Sequence, residues 1–140
     1  MRRTTKLSIY MKETVHHKFD QKNLNQLERL HTLMEEYKLY LNPKFSIIDL
    51  TKLLGTNRTY VSVYLNDVMG KSFFDFVNEY RLVVAEKLVC ETDLNFSKIA
   101  EKSGFNSLCT FRRAFVKKHS ITPGQYRERY GAQYASCYGK

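Results

Sequence analysis

The sequence predicts an all-α protein of about seven helices, arranged as two helix-turn-helix subdomains joined by a long bridging helix. Apolar residues recur at steps of three and four along most of the chain, and no alternating pattern of strand length competes with them. A pattern of short helix, glycine turn and longer helix also occurs twice. The expected organisation is a flexible basic lead or linker over 1–23, a first helix-turn-helix subdomain over 24–71, the bridging helix over 72–91, a second helix-turn-helix subdomain over 92–130 and a frayed C-terminal tail over 131–140.

The first subdomain is expected to open with a helix. Its apolar stripe runs through Leu24, Leu27, Leu30, Met34, Tyr37 and Leu41. Asn42-Pro43 ends it, because proline removes a backbone donor and disfavours helix at the residue before it.

Two short helices are predicted next, each with local start and stop signals. Ser46 and Asp49 form a capping-box pattern, and Gly55 ends the helix that they open. That helix carries the apolar residues Ile47, Leu50, Leu53 and Leu54. Asn57 then caps a helix that Gly70 ends, with an inward side of Val61, Leu65 and Val68.

The bridging helix is the longest uninterrupted helical run. Ser72 and Asp75 repeat the capping signal, and the run extends from Phe73 to about Glu91. Its expected apolar side consists of Phe73, Phe76, Val77, Tyr80, Val84 and Leu88.

Three helices are expected in the second subdomain. The first runs from Phe96 to Ser103 and ends at Gly104. Ser107 caps the next, whose inward side is Leu108, Phe111, Ala114 and Phe115. Thr122-Pro123 places proline at the first helical position of a last short helix through about Tyr130.

The internal repeat points to a DNA-binding architecture. Leu50-Thr51-x-x-x-Gly55 is followed by Val61 and Leu65, and Ile99-Ala100-x-x-x-Gly104 is followed by Phe111 and Phe115. The second copy has one extra residue in its turn. Small residues at Thr51 and Ala100 let two helices cross closely, and the glycines supply an unusual backbone conformation. One such match is weak, whereas two copies in a basic chain favour DNA binding.

Charge localises the expected interface. The net charge is +9, and the chain divides into +4 over residues 1–23, −2 over 24–95 and +7 over 96–140. A polyanion is therefore expected to meet the last third of the chain. Basic tails that merely aid solubility are the plainer alternative.

Other functional classes lack their signals in this sequence. The three cysteines are widely spaced, which fits neither a disulfide framework nor a metal knuckle and favours a reducing, cytoplasmic setting. No apolar stretch approaches the roughly 18 residues of a membrane span. No catalytic, phosphate-binding or metal motif occurs, so we expect neither an enzyme nor a cofactor or metal site.

Helical spacing selects the side chains that face DNA. Opposite Phe111 and Phe115 lie Cys109, Arg112, Arg113 and Val116, and the repeat offset of 50 residues gives Thr59, Ser62, Val63 and Asn66 in the first copy. The predicted base-reading residues are Thr59, Ser62, Val63, Cys109, Arg112 and Arg113. The predicted phosphate contacts are Arg58, Ser107, Thr110, Lys117, Lys118 and Arg127. A solvated helix face is the alternative at each of these positions.

Four segments resemble the DNA-binding domain of AraC/XylS-type bacterial transcription regulators. They are Arg81-Leu82-x-x-Ala85-x-x-Leu88, Ile99-Ala100-x-x-x-Gly104-Phe105, Phe111-x-Arg113-x-Phe115-x-Lys117 and Thr122-Pro123-x-x-Tyr126-Arg127. The resemblance covers about residues 24–130. It implies a second helix of each helix-turn-helix in the major groove and activation through RNA polymerase. Two residues depart from the family pattern: Ser120 stands where glycine is usual, and Val63 where arginine is frequent.

The expected function is that of a sequence-specific double-stranded DNA-binding transcription regulator, or the DNA-binding domain of one, acting as an activator. Two recognition helices in adjacent major grooves are expected, the second supplying most of the affinity. Expected partners are duplex DNA, RNA polymerase and an effector or sensor domain missing from this chain, with no membrane. The alternative is a helical protein-docking module of the same fold that no longer reads DNA, which the uncharged first face favours and the +7 segment disfavours.

Overall fold

A computed structural model describes residues 29–131, and within that range the chain is helical with no strand. Seven α-helices follow in order: α1 Leu30–Tyr37, α2 Ile47–Leu54, α3 Arg58–Val63, α4 Phe73–Glu91, α5 Phe96–Lys102, α6 Leu108–His119 and α7 Pro123–Tyr126. A 3₁₀ turn covers Leu39–Leu41, and π-helical turns extend α3 over Tyr64–Met69 and α7 over Arg127–Gly131. The predicted all-α class is confirmed. The predicted lead over 1–23 and all but Gly131 of the predicted tail lie outside the described residues.

The described chain divides into two compact units. The first contains the residues up to Leu39 together with Phe45–Phe76, and the second contains Tyr40–Lys44 and the residues from Val77 onward. Helix α4 therefore begins in the first unit and runs into the second. Among residues 29–131, no helix is long and apolar enough to cross a membrane.

The first unit is built around helices α1 to α3. Its buried apolar side chains are Leu30, Leu33, Met34, Phe45, Leu50, Leu54, Val61, Leu65 and Phe76. Local signals predicted the helix ends here: the Asp49 N–H donates to Ser46 Oγ, the Ser46 N–H donates to Asp49 Oδ2, and the Tyr60 N–H donates to Asn57 Oδ1. These caps satisfy backbone donors that a helix N-terminus leaves unpaired.

Helix α1 departs from the predicted stripe. It ends at Tyr37, whose side chain is 65% exposed, because Lys38 takes a left-handed conformation with φ 49° and turns the chain into the 3₁₀ segment. Leu41 is also exposed. The expected single helix up to Leu41 is therefore wrong at its C-terminal end, since the periodicity contains no signal for a non-glycine residue with positive φ.

The second unit has a core of residues from α4, α5 and α6. The buried members are Leu82, Ala85, Val89, Ile99, Ala100, Phe105, Phe111 and Phe115. Helix α4 buries Phe76 and Val77 as predicted, but further along it buries Leu82, Ala85 and Val89, whereas the predicted residues Tyr80, Val84 and Leu88 are only half-buried. Leu88 nevertheless packs against this core. The predicted apolar side of α4 was incomplete, since it left out Leu82, Ala85 and Val89 together with Arg81, which is buried although it is charged.

Arg81 lies in the second unit as a buried structural cation. Its Nε donates to the Tyr40 carbonyl at 2.7 Å, and its Nη2 donates to the Asn42 carbonyl at 3.0 Å. Burial lowers the pKa of the guanidinium, and the Phe105 ring lies 5.9 Å from its central carbon. The two hydrogen bonds compensate the cost of taking the charge out of water and hold Tyr40–Lys44 against α4.

Candidate nucleic-acid interface

Two helix-turn-helix motifs, α2–α3 and α5–α6, are the candidate interface. Counted from the capping residues Asn57 and Ser107, each second helix buries its residues at the fourth and eighth positions. These residues are Val61 and Leu65 in α3 and its π-helical extension, and Phe111 and Phe115 in α6, all fully buried. The repeat predicted from sequence is therefore present, with the turn of the second copy one residue longer.

Both turns use the same backbone device. The N–H groups of Gly55 and Thr56 donate to the Thr51 carbonyl, and the Phe105 N–H donates to the Ala100 carbonyl at 3.0 Å. Gly55 has φ 72° and Gly104 has φ 94°. A Cβ on Gly104 would press against the Tyr40 carbonyl oxygen and lie 2.9 Å from Leu41 Cα, so glycine is required there for space as well as for conformation.

Helix α6 presents the second reading face, which consists of Cys109, Arg112, Arg113 and Val116. All four side chains are exposed, on the side opposite the buried Phe111 and Phe115. Arg113 Nη2 lies 3.3 Å from Cys109 Sγ, one helical turn earlier. The predicted base-reading residues of this copy therefore share one solvent-facing surface that carries two cations.

The start of α6 is fixed by hydroxyl groups. The Thr110 N–H donates to Ser107 Oγ at 3.1 Å, and Ser107 Oγ donates to Thr110 Oγ1 at 2.9 Å. Both hydroxyls belong to the helix cap, while the first backbone N–H groups of α6 have no partner within the helix. This end of α6 is suited to an anion.

Helix α3 and its extension present the first reading face, which consists of Thr59, Ser62, Val63 and Asn66. Thr59 and Asn66 are exposed, and Ser62 and Val63 are half-buried. Asn66 Nδ2 donates to the Ser62 carbonyl at 2.9 Å and lies 3.5 Å from Ser62 Oγ. Arg58, also exposed, begins the helix. This face carries no charge of its own. The repeat offset predicts Asn66 on this face, although the predicted base-reading set does not include it.

Lys118 has a partner inside the second unit. Its Nζ lies 2.7 Å from Glu86 Oε2 on α4, and His119 Nε2 lies 2.7 Å from the same oxygen. At 3.6 residues per turn, Lys118 sits about 140° around α6 from Arg113. Lys117, by contrast, follows Arg113 by one turn and is exposed. The ion pair with Glu86 partly neutralises the charge that Lys118 would offer to a phosphate.

Arg127 is held by main-chain carbonyls. Its Nε donates to the Val89 carbonyl at 3.0 Å and its Nη2 donates to the Leu94 carbonyl at 2.8 Å. The Phe96 ring centre lies 4.7 Å from its central carbon. Sequence spacing could not find these partners, which lie more than 30 residues away, so Arg127 was grouped with the phosphate contacts.

An aromatic cluster borders the end of α6. The ring centres of Phe115 and His119 are 4.6 Å apart, and those of His119 and Tyr126 are 4.7 Å apart. Burial, with a contribution from nearby Cys90, raises the pKa of Tyr126, and burial with the charge of Glu91 raises that of Cys90. These groups stabilise the end of α6 away from its reading face. No cluster of metal-ligating side chains occurs among residues 29–131.

Comparison with known proteins gives consistent matches. A family model described as a helix-turn-helix domain matches residues 50–129. The chain is 32% identical over 100 residues to the uncharacterized HTH-type transcriptional regulator YtdP of Bacillus subtilis, a match that covers 71% of this chain and 12% of that protein. The chain thus spans a small part of that relative's length.

Solved structures extend the match to the fold. The C-terminal domain of the two-component response regulator yesN from Fusobacterium nucleatum aligns with a TM-score of 0.64 at 31% identity, covering 74% of this chain and 98% of that domain. A transcriptional regulator from Chromobacterium violaceum, described among AraC-type DNA-binding domain-containing proteins, aligns with a TM-score of 0.63 at 21% identity, covering 76% of this chain and 93% of that one. The second likeness is one of fold alone.

Proposed function

Because the chain belongs to the AraC-type family of helix-turn-helix domains, which bind DNA in transcription regulators, we propose that it reads duplex DNA by sequence. In this proposal α3 and α6 enter adjacent major grooves. The observation that carries it is the second reading face, where Arg112 and Arg113 are exposed opposite a fully buried Phe111 and Phe115. An exposed arginine on a recognition helix can donate two hydrogen bonds to the O6 and N7 atoms of guanine.

Affinity is proposed to come mainly from α6. The segment 96–140 has a net charge of +7, and the first reading face is neutral. Phosphate contacts from Arg58, Ser107, Thr110 and Lys117 would position the two helices without specifying bases. Lys118 and Arg127 are better supported as internal anchors, since both have protein partners.

The presence of two helix-turn-helix motifs in one chain supports a double contact, since the second helix of each has a solvent-facing side. Successive major grooves on one face of B-DNA repeat at roughly 34 Å. A monomer that contacts two such grooves would select two short motifs about one helical turn apart.

Activation of transcription through RNA polymerase, with an effector or sensor domain as a further partner, completes the proposal. The family membership supports both, and the yesN match is itself one domain of a two-component response regulator.

A selection from random duplexes followed by matched arginine variants tests the proposal. Arg113→Ala is expected to lose about fivefold or more in affinity for the selected site and to relax the base preference at one position. Arg129→Ala removes an equally exposed arginine outside both reading faces, and its loss is expected to be small and equal on selected and random DNA.

The competing function is a protein-docking module of this fold. The neutral first reading face is the observation that favours it. Failure of the selection to enrich any sequence would support docking, whereas two short motifs about one helical turn apart would support the double contact. Equal losses for Arg113→Ala on selected and random DNA would reject base reading by Arg113.

A further inference from the structure

We infer that the first reading face recognises an A·T base pair, with Asn66 on the adenine and Val63 on the thymine methyl group. This inference rests on the proposed function and adds to it the base composition of one half-site. The orientation of the Asn66 amide and the chemistry of Val63, which shares its face, support this assignment.

The orientation of the Asn66 amide is fixed by its partner. Asn66 Nδ2 lies 2.9 Å from the Ser62 carbonyl oxygen, an atom that can only accept a hydrogen bond, so the NH₂ group and not Oδ1 must face it. One N–H is therefore engaged within the helix. The other N–H and Oδ1 face away from that carbonyl, on an exposed side chain.

The remaining N–H and Oδ1 of Asn66 match the hydrogen-bonding groups of adenine. In the major groove adenine offers the N6 amino group as a donor and N7 as an acceptor, and asparagine engages both with Oδ1 and one N–H. Because the hydrogen bond to Ser62 already holds the amide, less side-chain freedom is lost on binding. Guanine offers two acceptors at these positions and would leave Oδ1 without a donor.

Val63 is the residue assigned to the thymine methyl group. It precedes Asn66 by three residues, so the two side chains are neighbours along the helix. Val63 is half-buried and carries only methyl groups, which suit the thymine C5-methyl and no other group on a base edge. An A·T pair presents the groups for both side chains in the same groove, with adenine N7 and N6 at one end of its edge and the thymine C5-methyl at the other end, beyond thymine O4.

The two half-sites should therefore differ in composition. Helix α6 presents guanidinium groups, which donate to guanine, and the first reading face presents an amide and a methyl-bearing side chain. The selected site should contain guanine in one motif and an essential A·T pair in the other.

Base analogues test this inference atom by atom on the selected site, with the 140-residue chain. Replacing the critical adenine by purine removes N6, and replacing the partner thymine by uracil removes the C5-methyl. For the unaltered protein we expect an affinity loss of about fivefold or more with purine and a smaller loss with uracil. Asn66→Ala should abolish the response to purine, and Val63→Ala should abolish the response to uracil.

Asn106→Ala is the matched control, since it removes an exposed amide that lies outside the first reading face. Its response to both analogues should equal that of the unaltered protein. Thermal unfolding of each variant, followed by circular dichroism, checks that the fold is retained.

Three results would overturn the inference while leaving the proposed function intact. They are a second motif without an A·T pair, unaltered affinity for both analogues, and equal analogue penalties in Asn66→Ala and the unaltered protein. A guanine-containing motif selected without a second motif would overturn both the inference and the double contact, and would leave only base reading by α6. Absence of any enriched sequence would instead overturn the proposed function itself.

Discussion

Ser120 has a left-handed backbone conformation, which is unfavourable for a residue with a side chain. It ends α6 with φ 64°, and its N–H donates to the Val116 carbonyl at 2.8 Å. Left-handed residues at this position of a helix are usually glycine, because a Cβ is crowded there. The departure from the family pattern noted in the sequence thus corresponds to a local strain in the structure.

Ser120→Gly is expected to raise the free energy of unfolding by about 0.5–1 kcal/mol, since it relieves that strain. Urea denaturation measures the change. Ser97→Gly, at an exposed position within α5, is the control and should destabilise the protein slightly. Equal effects of the two substitutions would show that φ at residue 120 is not the cause.

Cys90 and Cys109 are expected to differ in reactivity. Burial raises the pKa of Cys90, which lowers its thiolate fraction near pH 8, whereas Cys109 is exposed and lies 3.3 Å from a guanidinium nitrogen of Arg113. In a Cys137→Ser background, alkylation should modify Cys109 about tenfold faster or more, and the reactivity of Cys90 should rise only at higher pH. Mass spectrometry of digests measures both rates.

Alkylation in the presence of bound DNA tests whether α6 contacts the duplex. If α6 lies in the major groove, the selected duplex should protect Cys109 and leave the rate at Cys90 unchanged. Protection of neither thiol, under conditions where binding is saturated, would contradict the placement of the second reading face on DNA.

The helices and their caps were largely predictable, because the signals are local. Ser46 with Asp49, Asn57, Ser107, and Thr122 with Gln125 all bond to groups three residues away, so their side chains can be read directly from the chain. The same holds for the reading face of α6, where periodicity alone separates Arg113 from Phe115.

The parts that could not be predicted depend on distant partners. Arg81 bonds to a carbonyl 41 residues away, and Lys118 pairs with Glu86 on another helix. No spacing rule connects such residues, so the sequence displays neither the burial of Arg81 nor the ion pair of Lys118, whose phosphate contact stays a prediction. The orientation of the Asn66 amide likewise depends on a carbonyl, which sequence patterns do not display.

The turn between α5 and α6 is expected to tolerate no side chain at Gly104. Gly104→Ala should destabilise the protein by about 3 kcal/mol or more, because the new Cβ meets the Tyr40 carbonyl oxygen as well as an unfavourable φ. Gly70→Ala is the matched control: φ is 71° there, but nothing lies within 4 Å of the added Cβ, so a cost of about 1 kcal/mol is expected. Chemical denaturation of both variants measures the difference, and similar costs would show that space at Gly104 is not limiting.

For the molecule as a whole, the position of its charge determines how binding responds to salt. The net charge of +9 is concentrated outside residues 24–95. If several phosphates are contacted, the logarithm of affinity should fall with the logarithm of salt concentration by about 0.9 per phosphate. A flat response would remove the electrostatic basis of the proposed function.

Two variants refine this expectation. Arg58→Ala should reduce the slope by about 0.9 because it removes one phosphate contact. Lys118→Ala should leave the slope nearly unchanged, since Lys118 is paired with Glu86 at 2.7 Å. Fluorescence anisotropy titrations at several salt concentrations measure both slopes. A slope reduced by about 0.9 in Lys118→Ala would show that Lys118 contacts a phosphate.

The unequal turns of the two motifs have a consequence for how the protein can be altered. Because the buried positions of α3 and α6 coincide when counted from Asn57 and Ser107, the extra residue in the second turn is absorbed before the helix begins. The exposed residues Thr59 and Cys109 therefore occupy the same position, and their side chains can be exchanged between the copies without a change in either core. If both reading faces contact DNA as proposed, exchanging such residues is expected to change the base preference of one half-site at a time.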